Sequence, residues 1–212
     1  MVDVLENPVQ RELIARYAQP APLPGGYAPE QRLVFGGVGW AAHMELDAAL
    51  GDDRSGPRFY YLDGNLEIMS TSEEHERIKK VIGCCVDDYL IHESIPHALR
   101  GQATMQLVEE TGAEPDDSWC IGEEKPVPDI VLEIALTTGG LPKLEIYGRF
   151  PVPEVWIWRR GHLEIHAHRE DAAGYERVAA SRLLPGLPVT AIEAAVVERD
   201  TIKARRAFRA AL

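Results

Sequence analysis

Residues 114–150 read EPDDSWCIGEEKPVPDIVLEIALTTGGLPKLEIYGRF. Their centre, 127–135, is a run of β-branched and aliphatic residues interrupted by two acids. The run is long enough for a central strand buried on both faces. A short strand is expected before it at 119–121, and GEEKPVP at 122–128 reads as the loop between them. Gly139-Gly140 ends the strand, and 141–150 has the spacing of a short helix.

Toward the N-terminus, 32–35 reads as a short strand and 40–50 as a helix, with Trp40, Met44, Leu46 and Leu50 as its buried stripe. GDDRSGP at 51–57 is a turn. Strands at 58–62 and 65–70 flank Asp63-Gly64, a strong hairpin signal. Thr71 or Ser72 is placed to cap a helix whose first turn carries Glu73, Glu74 and Glu76, where the helix dipole favours acids. That helix runs to about residue 92, with Ile78, Val81, Ile82, Cys85, Val86 and Tyr89 on its apolar side. A strand at 103–108 and a polar, turn-rich stretch at 109–118 complete this half.

Toward the C-terminus, 155–158 and 163–168 form a hairpin around Arg160-Gly161, and 175–179 continues the meander. LLPGLPV at 183–189 is a loop, and a last helix begins near 190. Strands precede and follow isolated helices, so the fold class is α/β, a mixed β-sheet flanked by helices. A helix candidate at 9–18 and the extended linker PAPLPGG at 20–26 make 1–27 an N-terminal arm, leaving 28–212 as the domain.

Composition bounds the function. The chain has 212 residues, 45% apolar and 26% charged, ordinary for one well-filled core. No apolar run approaches the ~20 residues of a membrane helix. The acidic start has no signal-peptide pattern, so a cytoplasmic location is expected. Cys84, Cys85 and Cys120 are an odd number, which argues against a disulfide framework. They read as small buried apolar residues. A net charge of −12 counts against a long nonspecific nucleic-acid surface, which is normally basic. It leaves room for a local basic patch or a metal. The basic tail IKARRAFRAAL, 202–212, is equally well a solvated helix face.

The chemistry concentrates in the opening stretch. On a strand, residues two apart share a face, so Asp129, Val131 and Glu133 point the same way. Burying an isolated carboxylate is costly, and a metal ion offsets that cost. Asp116 precedes the strand, close enough for a neighbouring strand end to deliver it. Lys143 follows Glu133 by ten positions, at the start of the next helix. Oxygen ligands without His or Cys point to Mg2+ or Mn2+. A metal polarises a phosphoryl oxygen and acidifies bound water, while a lysine stabilises phosphate charge or takes the water proton. Spacing alone also allows Asp116 and Asp117 to be turn residues and Lys143 a surface charge.

Other candidates carry less. His166 and His168 share a strand face with His162 nearby, and surface histidines explain them. Trp156 and Trp158 share another face, as sheet packing or a subunit contact. LVFGGVGW at 33–40 lacks the lysine and spacing of a phosphate-binding loop.

Several motifs together resemble the bacterial family of putative restriction endonucleases within the PD-(D/E)XK nuclease superfamily. They are QRLVFGGVGWAAHMEL, DGNLEIMSTSEEHERI, EPDD, PDIVLEIA, KLEIYGRFPVPEVWIW and GLPV, in family order from about 31 to 189. The resemblance implies a restriction-endonuclease-like core. It implies that Asp116 ligates metal and that Glu133 is the second acid. Ala135 stands where the superfamily lysine usually sits, and Lys143 matches a position to which family members move it. Asp129 is implied as an extra ligand or support, with Glu67 and Gln102 at the site's edge and His75 and Glu76 beginning a flanking helix. A Mg2+- or Mn2+-dependent endonuclease acting on DNA is therefore expected, with a catalytically silent binding or scaffold protein as the alternative. The Trp156/Trp158 hairpin and the detached arm suggest a homodimer.

Overall fold

The computed structural model describes residues 30–51, 57–107, 109–169 and 173–212. The expected helix at 9–18, the linker at 20–26 and the middle of the 51–57 turn lie outside the described residues. In chain order the elements are β1 (Gln31–Gly36), α1 (Trp40–Leu50), β2 (Arg58–Leu62), β3 (Asn65–Ser70), α2 (Glu73–His92), β4 (His97–Leu99), β5 (Met105–Leu107), β6 (Thr111–Ala113), β7 (Asp117–Ile121), β8 (Ile130–Ala135), α3 (Lys143–Arg149), β9 (Glu154–Arg159), β10 (His162–His168), β11 (Tyr175–Val178), α4 (Val189–Val197) and α5 (Thr201–Arg209).

The strands form two sheets rather than the one expected. A five-stranded antiparallel sheet has the order β1-β3-β2-β6-β5, and a six-stranded sheet the order β11-β10-β9-β8-β7-β4. Among the described strands only β8 and β9 run parallel, joined through α3. The physical cause lies in β8, which is buried on both faces. Ile130, Leu132 and Ile134 pack with Trp119, Trp156 and the apolar sides of α2, α4 and α5. Val131 faces the other way, into a second core shared by α3 and by Tyr60 and Met69 of the five-stranded sheet. The outer face of that sheet, with Phe59 and Tyr61, is covered by α1.

Local signals explain the local geometry. Asp63 (φ 45°) and Gly64 (φ 81°) form the left-handed two-residue turn of the β2–β3 hairpin, and Arg160 (φ 53°) with Gly161 (φ 84°) does the same between β9 and β10. Ser72 caps α2, its hydroxyl accepting from His75 N at 3.2 Å. The three cysteines are free thiols. Among the described residues no helix is long and apolar enough to cross a membrane.

Three expectations need correction. Of the predicted stripe of helix α1, Trp40 and Leu46 pack on Phe59, Tyr61 and Leu66, but Leu50 is 43% exposed and the fully buried residues are His43 and Asp47. The sheet offers an aromatic partner instead: His43 stacks on Tyr61 at 5.0 Å between ring centres. Trp156 and Trp158 are core residues, so the hairpin presents no tryptophan surface to a second chain. The single C-terminal helix is two, because Asp200 caps α5 by accepting from Ile202 N and Lys203 N. The brief strands β4 and β6 have three residues each, too few for a periodic pattern to reveal.

Candidate active site

Strand pairing sets the two acids side by side. Asp116 N donates to Leu132 O at 3.0 Å, and Asp116 Oδ2 accepts from Ile134 N at 2.5 Å. The carboxylate therefore lies along the β8 edge next to Glu133. Both side chains are almost wholly buried. Asp117 points to the opposite side: a Cβ on Gly83 of α2 would sit 3.0 Å from its Oδ2. Burial, reinforced by the charge of Asp87, pushes Asp117 up to about 6.

Asp116 Oδ1 meets His75 Nε2 at 2.8 Å and the Arg58 guanidinium. The other ring nitrogen of His75 pairs with Glu30, forming a carboxylate–imidazole–carboxylate chain. Glu30 also accepts from Thr137 Oγ1 at 3.1 Å, in the loop after β8. Arg58 in turn bonds Glu76 at 3.2 Å. With its amide oxygen toward the cations, Gln102 lies 2.7 Å from Arg58 and 2.6 Å from Lys79. Glu76 and Gln102 thus brace the arginine that faces Asp116.

Glu133 is held by two buried phenols. The Tyr60 hydroxyl lies 3.0 Å from Oε2, and Tyr147 donates to Oε1. Burial, then the charge of Glu133, raises both phenols well above the usual tyrosine range.

Lys143 Nζ sits over the Tyr60 ring and 3.4 Å from Glu67 Oε1. Burial pulls the ammonium down to about 8, against the opposing pull of the Glu133 and Glu67 charges. Glu67 Oε1 also faces Arg32 Nε at 3.2 Å, and Oε2 accepts from Leu141 N at 2.5 Å. This packing requires glycine at 140: its φ is +88°, and a Cβ there would lie 2.5 Å from Arg32 and 2.6 Å from Glu67.

Asp116, Glu133, Lys143, Glu67 and His75 thus converge, and Glu76 and Gln102 stand behind them. Asp129 does not join them. It precedes β8 at the far end, where its carboxylate accepts from Ile121 N at 2.7 Å and from Lys125 Nζ. Arg58, Tyr60, Tyr147, Glu30 and Arg32 were missed by sequence reasoning. Tyr147 had a signal, since it follows Lys143 by one helical turn on the same face. The rest reach the site only through sheet pairing and packing.

Among the described residues, no group of three or more His, Cys, Asp or Glu side chains is arranged to hold a metal ion. The pair Asp116–Glu133 nonetheless fits Mg2+ or Mn2+ in donor type. Mg2+ takes as few as one or two protein carboxylates and completes its shell with water and phosphate. Each Glu133 oxygen makes one hydrogen bond, leaving lone-pair capacity. Glu133 and Lys143 open onto a cleft of about 660 Å³, walled also by Arg32, Arg159, Arg160 and His166.

No curated protein matches the chain. Among solved structures it is similar to a putative nuclease belonging to DUF820 from Anabaena variabilis ATCC 29413, at 12% identity and a TM-score of 0.45, over 69% of this chain and 91% of that one. The family described as "Uma2: Putative restriction endonuclease" matches residues 40–198, well over half of the chain and all of the site except Glu30 and Arg32. By that match the chain belongs to the Uma2 family of putative restriction endonucleases.

Proposed function

We propose that this chain is a Mg2+- or Mn2+-dependent endonuclease that hydrolyses DNA phosphodiester bonds. The observation that supports this reading best is the buried pair Asp116–Glu133 beside the depressed lysine Lys143, with Glu133 and Lys143 lining a cleft that also carries Arg32, Arg159 and Arg160. Asp116 and Glu133 would hold the metal, which supplies Lewis-acid polarisation of the phosphoryl oxygen and an acidified water. Lys143 Nζ takes the proton of the attacking water as the new oxygen–phosphorus bond forms and the bond to the leaving oxygen breaks. The phenols of Tyr60 and Tyr147 orient Glu133, and His75 with Glu30 orients Asp116. The three free thiols suit the reducing cytoplasm. As part of the same reading the chain pairs as a homodimer. The tryptophans are excluded from that contact, while edge strand β1 exposes Val34 and Phe35. A monomeric mass by light scattering removes this element.

One observation favours the alternative of a silent scaffold: Arg58 faces Asp116 in a buried ion pair and can substitute for a bound cation. Two measurements separate the readings. A metal-binding site raises the melting temperature with Mn2+ or Mg2+, and Asp116→Asn removes that rise. Plasmid cleavage with either metal is expected for the wild type and lost in Glu133→Gln and Lys143→Ala. No thermal response and no cleavage assign the protein to the scaffold class. Cleavage that survives both substitutions refutes the roles of Glu133 and Lys143.

A further inference from the structure

The cleft has two walls. One is built by Lys143 and Arg32, already engaged with Glu67. The other is built by the end of β9, its turn and β10: Arg159, Arg160, Glu164 and His166. The second wall has no part in the chemistry derived above.

Its placement follows from strand register. Ala135 of β8 pairs with Arg159 of the parallel strand β9, and Glu133 with Ile157. Arg159 therefore lies two residues farther toward the carboxyl ends of the strands than Glu133, about 7 Å along the strand. Crevices at the carboxyl ends of parallel strands are where open α/β sheets bind ligands. The left-handed turn at Arg160-Gly161 reverses the chain immediately beyond, so both arginines reach the rim and both are exposed.

The charge pattern is local and opposes the charge of the whole. Four cations, Arg32, Lys143, Arg159 and Arg160, line the cleft against two acids, Glu133 and Glu164, in a chain of net charge −12. Glu164 organises its wall, standing 4.0 Å from Arg159, 3.6 Å from His166 and 3.5 Å from Arg177. A cleft lined by one sign of charge concentrates a ligand of the other sign. Among the described lining residues none is Phe, Tyr or Trp, so the wall has no platform for base stacking.

We infer that Arg159 and Arg160 form a phosphate-binding wall that grips the nucleic-acid backbone beside the bond to be cut, without reading the bases. This rests on the nuclease reading above and deepens it. The wall therefore contacts a phosphate close to the scissile bond, and binding through it is salt-dependent and indifferent to sequence.

The test measures binding of a fluorescent 20-mer by anisotropy across a salt series. The full chain is used in EDTA, so that binding is separated from cleavage, with single-stranded and duplex DNA in parallel. Arg159→Gln/Arg160→Asn, in which Asn tolerates the left-handed turn, is compared with Lys203→Gln/Arg206→Gln. The second variant removes the same charge from exposed positions of α5. The wall variant is expected to bind on the order of tenfold more weakly, with a log–log salt slope shallower by about two contacts, and by the same factor for unrelated sequences. The α5 variant is expected to bind as the wild type does. If the two variants lose affinity equally, or the wall variant binds normally while the wild type cleaves, the inference is overturned and the nuclease reading stands. If the wild type binds neither DNA form, the nuclease reading falls as well. A preference confined to one base sequence also overturns the inference.

Discussion

At the scale of single residues, the site is a cluster of buried charges held by specific partners. Removing one partner from such a cluster costs more than the pair contributes in net terms, because the remaining charge is left without compensation. Lys143 is the clearest case. Burial disfavours its ammonium, and Glu133 and Glu67 only partly offset this, which leaves it near 8. As the base proposed above, Lys143 would work unprotonated. Cleavage is therefore expected to rise about tenfold per pH unit below about 8 and to level off above it. A pH–rate profile that falls above 8 would show the ammonium to be the working form. Stability carries the matching sign. A lysine depressed from its free value of about 10.4 penalises the folded state below about 8, and the penalty is relieved as pH rises between the two values.

At the scale of elements, the loop after β8 joins the cleft to the charges beneath it. Gly139 and Gly140 both have left-handed φ, but only Gly140 lies against Arg32 and Glu67. Gly139→Ala meets open space and carries backbone strain alone, whereas Gly140→Ala adds a collision. Strain of this kind is worth about 1–3 kcal/mol. Gly140→Ala is expected to be the more destabilising in urea titrations and to be the variant that loses cleavage. Equal effects would mean that the loop does not set the positions of Arg32 and Glu67. Helix α5 shows the same logic at the surface. Arg205 and Arg209 clamp Asp88 of α2, and Phe208 is buried, so these two arginines serve docking of the helix.

At the scale of the whole molecule, β8 belongs to both hydrophobic cores. Leu132 packs with α2, α4 and α5, and Val131 packs with α3 and the five-stranded sheet. Because one strand serves both, the described residues are expected to unfold in a single transition. Leu132→Ala, at about 2–5 kcal/mol, and Val131→Ala, at a smaller cost, should shift one common calorimetric peak. Separate peaks, each moved by one substitution, would show two independent units. The net charge of −12 acts at this scale too: it opposes any polyanionic ligand, whereas the cleft is lined by four cations and two acids.

The sequence alone determined what depends on a few neighbouring residues. The turns at Asp63-Gly64 and Arg160-Gly161, the Ser72 cap, the apolar side of α2 and the doubly buried β8 follow from backbone preference and periodicity, and the structure has each of them. Motif order indicated the family, and it proposed Asp116 and Lys143 where spacing left Asp117 and a surface lysine open. Tertiary structure alone decided which of these groups meet. It divided the strands into two sheets, turned Asp117 toward α2 and left Asp129 paired with Lys125 at the far end of β8. It also delivered Arg58 to Asp116 and Tyr60 to Glu133, across 58 and 73 positions of chain. Periodicity states which face a side chain occupies, but not which sheet will cover that face. Those encounters exist only once the cores have packed.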